Sequence, residues 1–175
     1  VHKNEGVDDS ENFNAYPTSL LPIIKADENE IILTNFIWGL VPSWSKKMSD
    51  FKPLNNARLE TVTEKITFKN LQNKNRCVIP ASGYYEWKKD ENNKKTPQCI
   101  YKKDNTNLYF AGLYQKNENI EFTIITREAS SELKNIHSRM PVVLEEKDIL
   151  KYLNTKTDFL TMINNIEPPN LAYHQ

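Results

Sequence analysis

The sequence predicts an α+β fold in which strands outnumber helices, and three observations support this. The chain has 175 residues, 38% of them hydrophobic, which suits one domain with a substantial core. Its strand-like runs follow one another through turns rich in Gly, Pro, Asn and Asp. Its helical patterns do not alternate with the strands, as they would in a doubly wound parallel sheet, and neither a repeat nor a linker divides the chain.

The first part of the chain predicts a polar start and two strands. Residues 1–12 are polar and acidic, which predicts poor order. Residues 17–24 predict a turn that leads into a short apolar strand, and residues 31–40 form a second β-rich run. Pro42 ends that run because proline cannot donate a hydrogen bond to a sheet. Residues 45–53 then predict a basic and polar loop.

Helical spacing first occurs after this loop. Apolar residues over residues 59–71, including Val62 and Ile66, recur as they do on one side of an amphipathic helix. Thr61 and Glu64 have the spacing of a capping pair at the start of that helix. The segment therefore predicts a helix.

The middle of the chain is rich in strands. Five apolar or alternating runs, each bounded by turn residues, predict one strand each. They are residues 77–79, 84–88, 98–102, 108–114 and 121–126.

Short elements follow towards the carboxyl end. Residues 130–136 predict a short helix capped by a serine, and residues 141–144 predict a short strand. Helices are predicted over residues 145–153 and 158–163, the second of them capped by Thr155.

Composition bears on several classes of function. Lys and Arg total 23, as do Asp and Glu, so the net charge is zero and any anion-binding surface must be a local patch. No run of about 18 apolar residues predicts a membrane span. Cys77 and Cys99 lie in strand-like runs without metal-ligand spacing, which predicts buried thiols in a reducing compartment, no metal and no cofactor. A nucleophilic role for either thiol is the alternative, and neither a phosphate-binding glycine loop nor a serine-hydrolase elbow occurs.

Glu86 is the first candidate for acid–base chemistry. Alternation in a strand places Tyr84 and Glu86 on one face and Tyr85 and Trp87 on the other, which we take as the core face. Glu86 would then line a cleft, where partial burial raises a carboxyl pKa and suits a general acid or base. The alternative is an exposed glutamate paired with a neighbouring lysine.

His137 and Arg139 form a second candidate group. Histidine titrates near neutral pH and can transfer protons, and the planar guanidinium of Arg139 can bind a phosphate. The alternative is a surface or capping histidine.

Asn56 and Arg58 form a third candidate group. The Asn56 amide could orient an amine or a carbonyl, and Arg58 near a helix start would add to an anion-binding corner. The alternative is an asparagine cap beside a solvated arginine.

Two tryptophans flank Pro42. An exposed Trp44 could stack on a nucleobase, with Lys46 and Lys47 supplying local positive charge, and Trp38 could do so too. The alternative for both indoles is ordinary core packing.

Taken together, these segments resemble the SOS response-associated peptidase (SRAP) family over nearly the whole chain. The resemblance rests on six motifs in order. They are Phe13-Asn14-Ala15-Tyr16-Pro17-Thr18, Trp38-Gly39-Leu40-Val41-Pro42-Ser43-Trp44, Asn56-Ala57-Arg58-Leu59-Glu60-Thr61, Arg76-Cys77-Val78-Ile79-Pro80-Ala81-Ser82-Gly83-Tyr84-Tyr85-Glu86-Trp87, Phe110-Ala111-Gly112-Leu113 and Ile136-His137-Ser138-Arg139-Met140-Pro141.

The resemblance implies a fold and an activity. The fold would be a single SRAP-type domain over residues 1–175, with a mostly antiparallel, barrel-like sheet and peripheral helices. Family members sense abasic sites in single-stranded DNA and link to them covalently. An N-terminal cysteine closes a thiazolidine with the open-ring sugar aldehyde, and the protein also processes itself as a peptidase. A monomer without metal or cofactor is expected, in the bacterial cytoplasm with the nucleoid or in a eukaryotic nucleus.

The resemblance also implies roles for individual residues. Three would be catalytic: Asn56 as an orienter beside the N-terminus, Glu86 as the proton shuttle, and His137 in sugar-ring opening and the Schiff-base step. Arg58 and Arg139 would hold phosphates and Trp44 would stack at the junction. The DNA-binding set is Asn14, Trp38, Trp44, Arg58 and Arg139.

The start of the chain departs from the family pattern. Family members begin Cys-Gly-Arg, whereas this sequence opens Val1-His2-Lys3-Asn4, so we expect it to lack the native N-terminal segment and also the C-terminal end. Without the nucleophile the chain as written would not form the covalent link. Two alternatives remain open: a non-covalent binder of single-stranded or junction DNA, and a small acid–base hydrolase that uses Glu86 and His137.

Overall fold

The structure is a computed structural model that describes residues 2–7, 12–28, 30–45 and 50–175. Its strands, numbered in chain order, are β1 (His2–Asn4), β2 (Leu20–Asp27), β3 (Glu30–Trp38), β4 (Asn56–Arg58), β5 (Arg76–Ala81), β6 (Tyr84–Lys89), β7 (Lys95–Lys102), β8 (Leu108–Lys116), β9 (Ile120–Glu128), β10 (Arg139–Pro141), β11 (Val143–Leu144) and β12 (Leu171–His174). The α-helices are α1 (Glu146–Leu153) and α2 (Phe159–Asn164), and single 3-10 turns lie at Ser43–Ser45 and Leu59–Thr61.

Most strands belong to one sheet with the order β1-β3-β2-β5-β8-β9-β10. The end of β3 also pairs with β9, through Ile37 with Glu121 and Trp38 with Phe122. This short parallel pairing links β3, β2, β5, β8 and β9 into a ring, which corresponds loosely to the barrel-like sheet that the resemblance implied. A second sheet has the order β12-β7-β6. The α+β class and the mostly antiparallel pairing are confirmed.

The central strands are apolar on both faces because each face packs against a separate cluster. In β9, Ile124 lies in the first cluster with Phe36 and Phe122, and Ile125 lies in the second. The helices α1 and α2 pack on the second cluster. Side chains alternate between the two faces of each strand, but both faces are buried. The sequence of these strands is therefore continuously apolar.

Arg76 joins the sheet to the end of α1 from a buried position. Its guanidinium donates to four backbone carbonyls, those of Gln72 at 2.5 Å, Tyr152 at 3.1 Å, Asn154 at 3.2 Å and Thr157 at 2.8 Å. Two of these carbonyls lie at the carboxyl end of α1, where helix C=O groups have no partner within the helix. A buried cation is thus satisfied by backbone dipoles.

The predicted strands over residues 77–79, 84–88, 98–102, 108–114 and 121–126 are all confirmed, as is the helix over residues 145–153. The helix over residues 158–163 is confirmed, but Asp158 caps it: its Oδ1 accepts a hydrogen bond from the Thr161 amide at 2.8 Å. The predicted Thr155 cap was wrong. The predicted strand over residues 141–144 is two strands, β10 and β11, and β1, β4 and β12 were not predicted.

The helix predicted over residues 59–71 was wrong. A 3-10 turn at Leu59–Thr61 is followed by successive turns, with isolated bonds such as Lys65 N–H to Thr61 O at 3.0 Å. Ile66 is exposed while Val62 is buried, so the apolar residues do not share one helical face. The hydroxyl of Thr61 is buried without a partner and caps nothing.

The short helix predicted over residues 130–136 was also wrong, because this segment forms turns. Leu133 and Ile136 are buried and hold the turns against the first cluster. Of the polar start, residues 1 and 8–11 lie outside the described residues. None of the helices in the described part of the chain is long and apolar enough to cross a membrane.

Candidate active site

Glu86 lies in strand β6, which begins directly after Gly83. A Cβ on Gly83 would lie 2.9 Å from the carbonyl oxygen of Ile100, so only glycine fits where the chain enters β6 beside β7. In the β6–β7 pair Glu86 lies opposite Gln98. The two strands form an antiparallel hairpin, and the turn that joins Lys89 to Lys95 fixes the register of the whole strand.

The faces of β6 alternate as predicted, but the prediction of which face is the core face was wrong. Tyr84 packs on Phe110 of the first cluster, with ring centroids 5.7 Å apart, whereas Tyr85 and Trp87 are 52% and 51% exposed. Glu86 shares the inner face with Tyr84. Alternation assigns residues to two faces, and packing against other strands decides which of the two is buried.

The Glu86 carboxylate contacts His137, with Oε1 lying 3.8 Å from Nδ1. Only 27% of the Glu86 side chain is exposed. Burial raises the pKa of the Glu86 carboxyl above its ordinary value of 4.5, although the nearby His137 charge and the Trp87 amide oppose that shift. In the described part of the chain this contact replaces the lysine pairing that the sequence left open.

His137 lies in the turn between the buried Ile136 and β10. The Arg139 amide donates to its Nδ1 at 3.1 Å, and this nitrogen also lies 3.2 Å from the Arg139 carbonyl oxygen. Nearly half of the His137 side chain is exposed. The imidazole is therefore held at Nδ1 and remains partly accessible.

The guanidinium of Arg139 is occupied. Its Nη1 and Nη2 donate to the two carboxylate oxygens of Glu60 at 2.8 and 2.9 Å, and Nη2 also donates to the Thr126 carbonyl at 2.7 Å. This is the two-pronged geometry that arginine forms with carboxylates. Sequence reasoning assigned no role to Glu60, although the residue lies in one of the six motifs.

Asn56 and Arg58 lie on a short strand rather than at a helix start. Strand β4 runs parallel to β9, with Asn56 opposite Ile124 and Arg58 opposite Thr126. The Ala57 side chain is buried, and those of Asn56 and Arg58 are exposed. Both side chains thus point away from the second cluster, which contains Ala57.

The remaining predicted DNA-binding residues differ in exposure. Trp44 is 55% exposed and meets Phe51 edge-on, with centroids 5.6 Å apart. Trp38 is partly buried, and its indole N–H donates to the Asn55 carbonyl at 3.0 Å, so the structure uses it for packing. Asn14 is exposed in a turn. Lys46 and Lys47 lie outside the described residues.

The cysteines lie apart from these contacts. Cys77 is fully buried, as predicted, and burial raises the pKa of its thiol far above the ordinary range. Cys99 is only partly buried and faces the same side of the second sheet as Tyr85. A buried neutral thiol is a poor nucleophile, which argues against a catalytic role for Cys77.

Two contacts bring the three predicted segments together. Glu86 of β6 meets His137, and Glu60, which follows β4, meets Arg139. Thr126 of β9 lies between these segments, since Arg58 is its strand partner and Arg139 donates to its carbonyl. A carboxyl that keeps its proton to higher pH than an ordinary glutamate, beside an imidazole, can both donate and accept protons.

The opposite pKa shifts of Glu86 and Glu60 predict opposite effects of pH on stability. The folded state binds the Glu86 proton more tightly than the unfolded state does, so this group stabilises the fold below pH 4.5 and loses that contribution as pH rises through its raised pKa. Glu86→Gln removes this titration. The free energy of unfolding of the variant minus that of the parent should therefore be more favourable at about pH 7 than at about pH 4, as measured by urea unfolding.

Glu60→Gln is the matched control with the opposite sign. Hydrogen bonds from Arg139 hold the pKa of Glu60 below 4.5, so its contribution is present above that value and lost as pH falls through the lowered pKa. This variant should be less stable than the parent at about pH 7, and the difference should shrink on acidification. Equal pH dependence for both variants would contradict the assigned shifts.

The sequence is similar to those of known proteins over most of its length. A family model described as "SOS response associated peptidase (SRAP)" matches residues 1–175. The chain is 38% identical over 157 residues to abasic site processing protein YoaM of Bacillus subtilis, covering 85% of this chain and 69% of that protein. It is 32% identical over 204 residues to abasic site processing protein HMCES of Xenopus tropicalis, covering 93% of this chain and 60% of that protein.

The fold also matches a solved structure. The crystal structure of a protein from Bacteroides thetaiotaomicron superposes with a TM-score of 0.77 at 27% identity, covering 90% of this chain and 73% of that chain. The similarity thus extends over nearly all of the present fold.

Proposed function

The chain belongs to the SOS response-associated peptidase family, and from this membership we propose that it recognises and processes abasic sites in single-stranded DNA. The observation that carries the proposal is the contact between the half-buried Glu86 carboxyl and His137. The names of YoaM and HMCES, both abasic site processing proteins, support the choice of substrate.

The proposed chemistry is covalent capture of the sugar aldehyde. The amine of an N-terminal cysteine attacks C1′ of the open-ring sugar, water leaves to give a Schiff base, and the thiol then adds to the carbon–nitrogen double bond to close a thiazolidine. Loss of water needs an acid, and the amine must first be neutral. The same groups would serve self-processing as a peptidase.

The described residues supply the proton transfers for these steps. Burial keeps Glu86 protonated to higher pH than an ordinary glutamate, so it can protonate the leaving hydroxyl and afterwards take a proton back. His137, which remains partly accessible, would contact the sugar oxygens during ring opening. The exposed amide of Asn56 would orient the attacking amine.

Several other exposed side chains would suit a DNA strand. Trp44 offers an indole face for stacking, worth about 1–3 kcal/mol per base, and Arg58 offers an exposed cation for a phosphate. Asn14 offers an exposed amide. Arg139 could bind a phosphate only by leaving Glu60, and Trp38 could contribute only the edge that is not packed.

A gel assay tests the proposal. We define the Cys-start version as this chain preceded by a family-type segment that begins Cys-Gly-Arg. Incubated with abasic single-stranded DNA, the Cys-start version should form an adduct that survives a denaturing gel, whereas the 175-residue chain should bind in a salt-sensitive manner without an adduct.

Two DNA controls make the result specific. DNA of the same sequence without the abasic site, and abasic DNA whose aldehyde has been reduced to an alcohol, should give no adduct. Binding without an adduct from both protein versions would instead favour the non-covalent DNA binder. No interaction with DNA from either version would favour the small hydrolase.

A further inference from the structure

A chain of contacts leads from Glu60 to His137. The Glu60 carboxylate accepts two hydrogen bonds from the guanidinium of Arg139, at 2.8 and 2.9 Å, across 79 positions of sequence. The Thr126 carbonyl accepts a third at 2.7 Å. The Arg139 side chain is only 22% exposed, and its Nε is buried without a partner. The Arg139 guanidinium is therefore fixed by two acceptor groups, the Glu60 carboxylate and the Thr126 carbonyl.

The backbone amide of Arg139 bears on where the His137 proton lies. The Arg139 amide hydrogen has a fixed direction, and it points at Nδ1 of His137 from 3.1 Å. The amide is always a donor, so Nδ1 must accept, and a neutral ring then carries its proton on Nε2. A proton on Nδ1 would face the Arg139 carbonyl at 3.2 Å and Glu86 Oε1 at 3.8 Å, but it would set that N–H against the closer N–H of the Arg139 amide.

We infer that Glu60 is a positioning residue for His137. By binding the Arg139 guanidinium, Glu60 keeps the Arg139 amide within hydrogen-bond distance of Nδ1. His137 then presents an Nε2–H donor to the substrate. The inference rests on the proposed function for its consequence, though not for its geometry. His137 would then donate a hydrogen bond to a sugar oxygen, and Glu86 would be the group that accepts and returns the proton.

The geometry explains why Glu60 matters to a turn that it does not belong to. Without the carboxylate, two guanidinium N–H groups lose their acceptor and the arginine gains freedom to swing into solvent. The Arg139 backbone is otherwise held from one side, because β10 is a three-residue strand at the end of its sheet that pairs with β9, and next to it Ala129 N–H donates to Ser138 O at 3.0 Å. Freeing the arginine would let this short edge strand shift on β9, so that the Arg139 amide moves away from Nδ1 and both tautomers of His137 become populated.

The first test reads the tautomer without any DNA. Protonated and unprotonated ring nitrogens of histidine give separate ¹⁵N resonances, so NMR of the free protein identifies which nitrogen of His137 carries the proton. We expect the Nε2–H form in the parent protein and a mixture in Glu60→Gln. Glu64→Gln removes the same charge from an exposed position on the same segment, and it should leave the tautomer unchanged.

The second test reads the rate of adduct formation by the Cys-start version at saturating abasic DNA. Glu60→Gln should slow this rate about 10-fold while the dissociation constant for the DNA stays the same, because the reacting groups are misaligned rather than lost. Glu64→Gln should react at the parent rate. Thermal unfolding of both variants, recorded alongside, shows that the folded protein is being compared.

Each other outcome overturns the inference. It fails if the parent protein carries the proton on Nδ1, or if Glu60→Gln leaves the tautomer unchanged. A shifted tautomer with an unchanged rate also removes the positioning role. Tighter DNA binding at an unchanged rate would mean that Glu60 keeps Arg139 away from phosphates. Absence of any adduct from the parent would sink the proposed function instead, and the NMR experiment would still decide the tautomer.

Discussion

Glu86→Gln is expected to slow adduct formation by the Cys-start version about 100-fold or more, with little change in DNA affinity. General acid–base catalysis by a positioned group typically contributes about 10²–10⁴-fold. Glutamine has nearly the same shape but can neither release nor accept the proton that a carboxyl transfers. Rates measured at saturating abasic DNA on denaturing gels, beside dissociation constants from fluorescence anisotropy, separate the two effects.

A control variant and a second active-site variant accompany this test. Glu91→Gln makes the same change at an exposed position in the turn of the β6–β7 hairpin and should react at the parent rate. His137→Ala should also slow the reaction more than it weakens binding, because the imidazole that contacts Glu86 is removed. If Glu86→Gln and His137→Ala both react at the parent rate, the proton-transfer roles proposed for these residues are wrong.

Arg76→Ala is expected to destabilise the fold by about 3–5 kcal/mol, a large fraction of the stability of a single domain. The substitution removes the donors of four backbone carbonyls that lie between the sheet and the end of α1. It also removes the guanidinium that lies over the rings of Tyr152 and Phe159, at 5.9 and 5.4 Å from the ring centroids. Urea unfolding followed by circular dichroism measures the change.

Arg76→Lys tests whether charge alone suffices. A single ammonium has three donors at one point and cannot span four carbonyls that a planar guanidinium reaches, so this variant should recover only part of the loss. Lys69→Ala, at an exposed position of the preceding turns, should leave stability nearly unchanged. A loss of less than about 1 kcal/mol in Arg76→Ala would show that water replaces the guanidinium without penalty.

Much of the fold follows from short-range pattern. Short apolar runs predict β8 and β9, and these runs are continuous because both strands are buried on both faces. The helix α1 is likewise predicted from its own segment. The segment after β4 shows the limit of such patterns. Val62 and Ile66 are four apart, as on one side of a helix, yet only Val62 reaches the core, and the chain makes turns instead.

The candidate site was predictable as a set of residues but not as a set of contacts. Glu86 and His137 are singled out by their chemistry and by the motifs around them. The partner of Arg139 is different, since Glu60 lies 79 positions away and its place in one of the six motifs does not say which residue it contacts. Only the register of β4 and β10 on β9 brings their ends close enough for this pair to form.

The amino-acid sequence by itself determined the fold class, most of the strands, and the chemical groups available for proton transfer. These depend on the period of side chains along one segment, and that period is a local property of the backbone. The tertiary structure alone decided that Tyr84 and Glu86 face inward, that Glu86 meets His137, and that Glu60 holds Arg139. Such contacts depend on how distant strands pair, and pairing is settled by the packing of the whole core at once.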